Sequence, residues 1–128
     1  MSVAADLALD QVDAAELSAV VFVGFEVREF VDPQSESRAR VQQLLQQCQQ
    51  GERWLVGICY GQWVLGRAGV LRDRAVAQPT ELVGDLGSTG ARPQSEQTVV
   101  VDGRLITASG PSDAGAAGRV LAESLRGR

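Results

Sequence analysis

Apolar positions along this chain come in short runs, separated by polar stretches with helical spacing. Ser18-Ala19-Val20-Val21-Phe22-Val23-Gly24 is continuously apolar, rich in β-branched residues and closed by glycine. That pattern predicts a strand buried on both faces, as in a parallel sheet. Asp32-Pro33 marks a loop and a helix start nearby. From Ser37 to Gln50 the apolar residues Val41, Leu44, Leu45 and Cys48 recur at spacings of three and four among Gln and Arg. This predicts an amphipathic helix stopped by Gly51. Trp54–Ile58 reads as a second short strand, and Gly61–Val70 as a short helix with Trp63, Val64 and Leu65 toward the core. Ala75–Ala77 is a third candidate strand, and the glycine-rich stretch from Glu81 to Ala91 reads as a short helix and loop. The runs Thr98–Val101 and Leu105–Ala108 flank Asp102-Gly103, a hairpin signal. Pro111 opens a last helix to about Leu125, with the stripe Ala117, Val120, Leu121 and Leu125 and a cap at Ser109 or Gly110. Strands alternating with helices predict an α/β domain with a mainly parallel sheet, one domain over residues 1–128.

Composition narrows the chemistry by what is missing. The chain has no His, and all 12 basic residues are Arg, so Lys is absent as well. That removes a Ser-His-Asp triad, a Cys-His dyad, histidine-ligated metal and any lysine-based P-loop or Schiff base within one chain. Two cysteines cannot make a structural zinc site unaided, and the carboxylates show no EF-hand spacing. We therefore expect no metal and no cofactor. A net charge of −4 and a pI near 4.8 give no footprint for nucleic acid or an anionic membrane. The longest apolar run, Ala19–Phe25, is far short of the ~20 residues that span a bilayer. The acidic first residues do not look like a secretory signal, and the low cysteine content fits the cytoplasm.

One motif carries chemistry. Gly57-Ile58-Cys59-Tyr60-Gly61 is G-x-C-x-G placed between a strand and a helix, the shape of a nucleophile elbow. A nucleophile on a sharp, strained turn needs small neighbours so that adjacent backbone can pass. The helix that follows aims its first N–H groups at the sulfur, which favours thiolate. The bland alternative is an inert core cysteine at a strand end. Cys48, on the helical stripe, is expected to be just that. The glycines of Gly84–Gly90 read as a flexible loop, and Asp113 as a carboxylate stabilising the start of the last helix.

The elbow is followed by Ala68-Gly69-Val70-Leu71-Arg72-Asp73-Arg74 and, later, by Val99-Val100-Val101-Asp102-Gly103-Arg104-Leu105-Ile106-Thr107-Ala108-Ser109-Gly110-Pro111. With Asp6–Val12 and Leu17–Gly24, which look like the stretch leading into the family's third strand, the chain resembles the ThiJ/PfpI family of the class I glutamine amidotransferase-like superfamily, over nearly its whole length. The resemblance implies a flavodoxin-like three-layer sandwich. It also implies a strand–helix–strand unit of ~30 residues ahead of the stretch seen here. Lacking that unit, the sheet would expose one edge of the Ala19–Val23 strand, an edge that invites another chain. The expectation is a truncated, split or wrongly started gene product, or an obligate complex such as a homo-oligomer. The resemblance further implies Cys59 as nucleophile and an oxyanion hole from backbone N–H groups at Gly24, Phe25, Cys59 and Tyr60. Where some members carry His after the cysteine, this chain has Tyr60. Where others borrow a Glu from a neighbouring subunit, Glu29 is the matching position, and a solvated loop carboxylate is its bland reading. Three functions stay open: a weakened domain with a reactive thiol in a redox or stress role; an active cysteine enzyme acting on peptides, amides or dicarbonyls such as methylglyoxal, completed by a second chain; and a non-catalytic oligomerising module.

Overall fold

The stripe Val41, Leu44, Leu45 and Cys48 is buried as a unit, and it anchors the helix α2, Glu36–Gln50. Ser35 caps that helix by accepting a hydrogen bond from the Ser37 N–H, and Gly51 ends it. The computed structural model describes residues 4–23, 28–79 and 86–127. Ahead of α2 come two 3-10 turns at Leu9–Gln11 and Ala14–Glu16, the strand β1 (Ala19–Phe22) and the one-turn helix α1 (Arg28–Val31). After it come β2 (Trp54–Ile58), α3 (Gly61–Arg67), β3 (Ala75–Ala77), β4 (Arg92–Gln94), β5 (Val99–Asp102), β6 (Leu105–Ala108), a 3-10 turn at Pro111–Asp113 and α4 (Ala114–Arg126).

The main sheet runs β1-β2-β6-β5. β1, β2 and β6 are parallel, and β5 returns antiparallel to β6. The hairpin turn falls one residue later than the Asp-Gly pair suggests. Asp102 still pairs with Leu105, and Gly103 takes the positive φ of +61° that opens the two-residue turn. Asp102 is instead spent on β3: its carboxylate accepts the Ala75 N–H at 2.8 Å and lies 3.5 Å from the Arg74 guanidinium. The Thr107 hydroxyl similarly accepts the Ala77 N–H at 2.8 Å. These side-chain bonds join the small parallel pair β3–β4 to the main sheet without a continuous ladder.

Alternation along the strands builds two apolar layers. Leu55 and Leu105 face the cluster formed with α2 and α3. Val56, Ile58, Ile106 and Ala108 face the other way, against Ala117 of α4. Helices on both faces of a mainly parallel sheet make the flavodoxin-like three-layer arrangement. β1 is covered on one face only. Val20 and Phe22 pack toward α2 and α3, while Val21 and Val23 are 46% and 62% exposed on the face that α4 covers over β2 and β6.

The glycine-rich stretch is tighter than its composition suggests. Thr80–Asp85 lies outside the described residues, but Leu86 is fully buried and Gly90 takes a φ of +84°. The Thr89 side chain fills the space where Gly66 lacks a Cβ. Asp113 also has a specific task, since its carboxylate accepts the Gly110 N–H at 3.2 Å, closing the turn before α4.

Two glycines of the G-x-C-x-G motif set the approach of α3. A Cβ on Gly57 would lie 2.7 Å from Leu65 Cδ1 and 3.1 Å from Gln62 Cα. A Cβ on Gly61 would overlap the Phe22 carbonyl at the end of β1, and backbone cannot swing aside as a side chain can. Gly61→Ala should therefore cost about 3 kcal/mol, read as a lower urea midpoint. Gly118→Ala is the control. It sits in the exposed middle of α4 with nothing within 4 Å of a new Cβ. That change should raise stability by about 0.5–1 kcal/mol.

Candidate active site

Cys59 occupies the bend between β2 and α3, where the sequence places it. Its φ is +56°, in the left-handed region that a residue with a Cβ enters only at a cost. The bend is held from both sides. The Cys59 N–H continues the parallel ladder by donating to the Ala108 carbonyl at 3.0 Å. The Cys59 carbonyl accepts the Gln62 N–H at 3.1 Å as α3 begins. The residue thus stands between the carboxyl ends of β1 and β6, where open α/β sheets bind ligands.

The side chain is half-buried, with one flank against the cluster of Val56, Ile58, Ile106 and Ala108. α3 contributes two turns, a shorter dipole than the Gly61–Val70 helix read from sequence would supply. The other cysteine has the opposite setting. Cys48 is fully buried on α2, and burial pushes its thiol up, with the Arg53 guanidinium pulling weakly the other way. Both cysteines are free thiols.

The remaining site candidates divide. Tyr60 is the N-cap of α3, with its ring against the α2-side core and its carbonyl accepting the Trp63 N–H at 3.0 Å. The Cys59 N–H, spent on Ala108, is not a free oxyanion donor in this arrangement. Gly24 and Phe25 lie outside the described residues. Glu29 is exposed on α1, and its carboxylate accepts the Ser37 hydroxyl at 3.0 Å. That bond ties α1 to the first turn of α2, and no base among the described residues is hydrogen-bonded to Cys59.

The sequence reading passed over Gln62. It is completely buried beside Cys59, and its Nε2 donates to the Ala108 carbonyl at 2.9 Å. A polar residue one position inside a helix reads as solvated surface, and only the packing of Gly57 under its backbone shows otherwise. Trp63, expected in the core, is half-exposed with the Arg67 guanidinium 4.3 Å above its ring. Two clefts of about 200 and 310 Å³, lined in part by Leu9, Asp10 and Arg40 and by Asp13, Gln50 and Arg53, do not include Cys59. The described residues gather no metal-sized cluster of Cys, Asp and Glu side chains. None of their helices is long and apolar enough to cross a membrane.

Comparison with known proteins identifies the architecture. No curated protein sequence matches the chain. A ThiJ/PfpI domain protein from Brachyspira murdochii superposes with a TM-score of 0.86 at 27% identity, covering 96% of this chain and 68% of that one. Drosophila melanogaster DJ-1beta superposes with a TM-score of 0.76, also at 27% identity, over 94% of this chain and 62% of its own. A two-domain protein of Anabaena variabilis, with DJ-1/ThiJ/PfpI-like and ferritin-like domains, shares the fold with a TM-score of 0.79 at 23% identity, over 91% of this chain and 32% of that one. The chain therefore spans from about a third to about two thirds of the length of these structures. A model of the DJ-1/PfpI family matches residues 1–124, so the shared fold reflects kinship, and the chain belongs to the DJ-1/PfpI family.

Proposed function

We propose that this chain is a DJ-1/PfpI domain whose reacting group is the Cys59 thiol, with catalysis weakened because no base among the described residues is hydrogen-bonded to it. The observation that carries the reading is the left-handed backbone of Cys59 at the bend between β2 and α3. Glu52 and Asp73 take the same left-handed φ at turns, but only at Cys59 does it coincide with a half-exposed thiol. It presents the sulfur at the carboxyl ends of parallel strands. Two free thiols suit a reducing compartment, and we place the chain in the cytoplasm.

Small electrophiles are the substrate class this site supports. With a dicarbonyl such as methylglyoxal, the sulfur would add to the aldehyde carbon and the thiol proton would pass to the carbonyl oxygen, giving a hemithioacetal without redox change. Further turnover needs a proton acceptor held at hydrogen-bond distance. The chain has no His, and among the described residues no carboxylate is hydrogen-bonded to Cys59. General base help is worth about 10²–10⁴ in rate, so turnover should be slow by that order. A thiol-sensing or stress role fits a group that reacts readily and turns over poorly.

A second reading rests on β1. Among the described residues it pairs with β2 on one side only, and Val21 and Val23 stay open on one face. An uncharged, apolar edge strand favours pairing with another chain. We take that chain to be a second copy of this one. A second copy also offers Glu29 as the base that Cys59 lacks, in an active peptidase, amidase or glyoxalase-like enzyme. As a purely structural variant, the same pairing makes an oligomerising module.

Iodoacetamide followed by peptide mapping tests the first reading. In the folded chain Cys59 should be alkylated and Cys48 protected, because burial keeps Cys48 a thiol. Cys59→Ala should abolish any loss of methylglyoxal. Protection of Cys59, or turnover that survives Cys59→Ala, would refute it. Sedimentation over a dilution series tests the second. The parent should dimerise and Val21→Lys should stay monomeric, whereas a parent that is monomeric throughout rules out self-pairing.

A further inference from the structure

Gln62 combines two properties that seldom occur together. It is fully buried, and its Oε1 has no hydrogen-bond partner among the described residues. The Ala108 carbonyl can only accept, so the amide end that faces it at 2.9 Å is the NH₂ group, and the oxygen is the end left over. That carbonyl already accepts the Cys59 N–H at 3.0 Å. The Gln62 bond therefore takes the second lone pair of a carbonyl that already has a donor, and leaves its own Oε1 without a partner among the described residues. By stability alone an apolar side chain of the same length would serve better, since a stranded buried acceptor carries a desolvation penalty.

The amide is placed to act on the bend. Gln62 N–H donates to the Cys59 carbonyl at 3.1 Å, while Gln62 Nε2 and Cys59 N–H converge on the same Ala108 oxygen. The three bonds close a ring through β6 that holds the backbone on both sides of the Cys59 Cα. Gln62 itself cannot drift, because its Cα would stand 3.1 Å from a Cβ on Gly57, close packing that only glycine permits.

We propose that Gln62 is a positioning residue for Cys59, clamping the elbow in its left-handed conformation and giving up fold stability to do so. The inference rests on the reading of Cys59 as the reacting thiol. It predicts a loss of reactivity with no loss of stability in the same variants, where a merely structural residue would lower both together.

The test uses Gln62→Met and Gln62→Leu in the full chain. Urea unfolding gives the stability, and the iodoacetamide rate at Cys59, followed by peptide mapping, gives the reactivity. The expected result is a midpoint equal to or above that of the parent, with Cys59 alkylated about threefold to tenfold more slowly, the span of one lost hydrogen bond. A reactive parent whose variants react at the parental rate overturns the positioning role alone. A midpoint that falls together with the rate, or a variant that does not fold, assigns Gln62 to structure and overturns it too. A parent whose Cys59 resists iodoacetamide refutes the reading of Cys59 itself, and this inference with it.

Discussion

Where α3 meets the sheet there is no room for a methyl group. Gly61 lies against the last carbonyl of β1, and Gly57 lies under the backbone of Gln62 and the side chain of Leu65. With both gaps closed, the chain has to reverse between Ile58 and Gly61. The residue at the corner, Cys59, takes the positive φ that such a reversal needs. The position of the thiol, the start of α3 and the burial of Val64 and Leu65 all follow from that close approach. Van der Waals exclusion thus builds the site, and the hydrogen bonds through Ala108 hold it in place.

The two cysteines show how far setting outweighs residue type. Cys48 sits on a helical stripe among Val41, Leu44 and Leu45, where burial pushes its thiol up. Cys59 sits at a bend, half-exposed, with its backbone strained. The chain has no His, and the Glu29 carboxylate accepts the Ser37 hydroxyl, so among the described residues what surrounds the sulfur is backbone geometry.

Much of this was legible in the residues because periodicity and motif spacing are local. The α2 stripe, the strand Trp54–Ile58 and the elbow each sit where their patterns place them, and the Val99–Ala108 hairpin turns one residue later than its Asp-Gly pair suggests. What the pattern missed is long-range. β4, Arg92-Pro93-Gln94, has no strand-like composition, and it is extended because it pairs with β3. The bonds of Asp102 to Ala75 and of Thr107 to Ala77 depend on chain segments about 30 residues apart. Gln62 was invisible for the same reason, since its partner lies on β6 and its burial depends on Gly57. Glu29 was placed by resemblance, and only the structure shows the Ser37 hydroxyl on its carboxylate.

The claim on which this account turns is that the Cys59 backbone is held against its own preference, and replacing its side chain tests that without reference to any substrate. The urea stability of Cys59→Gly should exceed that of Cys59→Ala by about 1 kcal/mol, because only glycine takes a left-handed φ without penalty. At a relaxed position the order reverses, with alanine ahead by about 0.5–1 kcal/mol. Finding alanine the more stable of the two would mean that the bend stores no strain at Cys59.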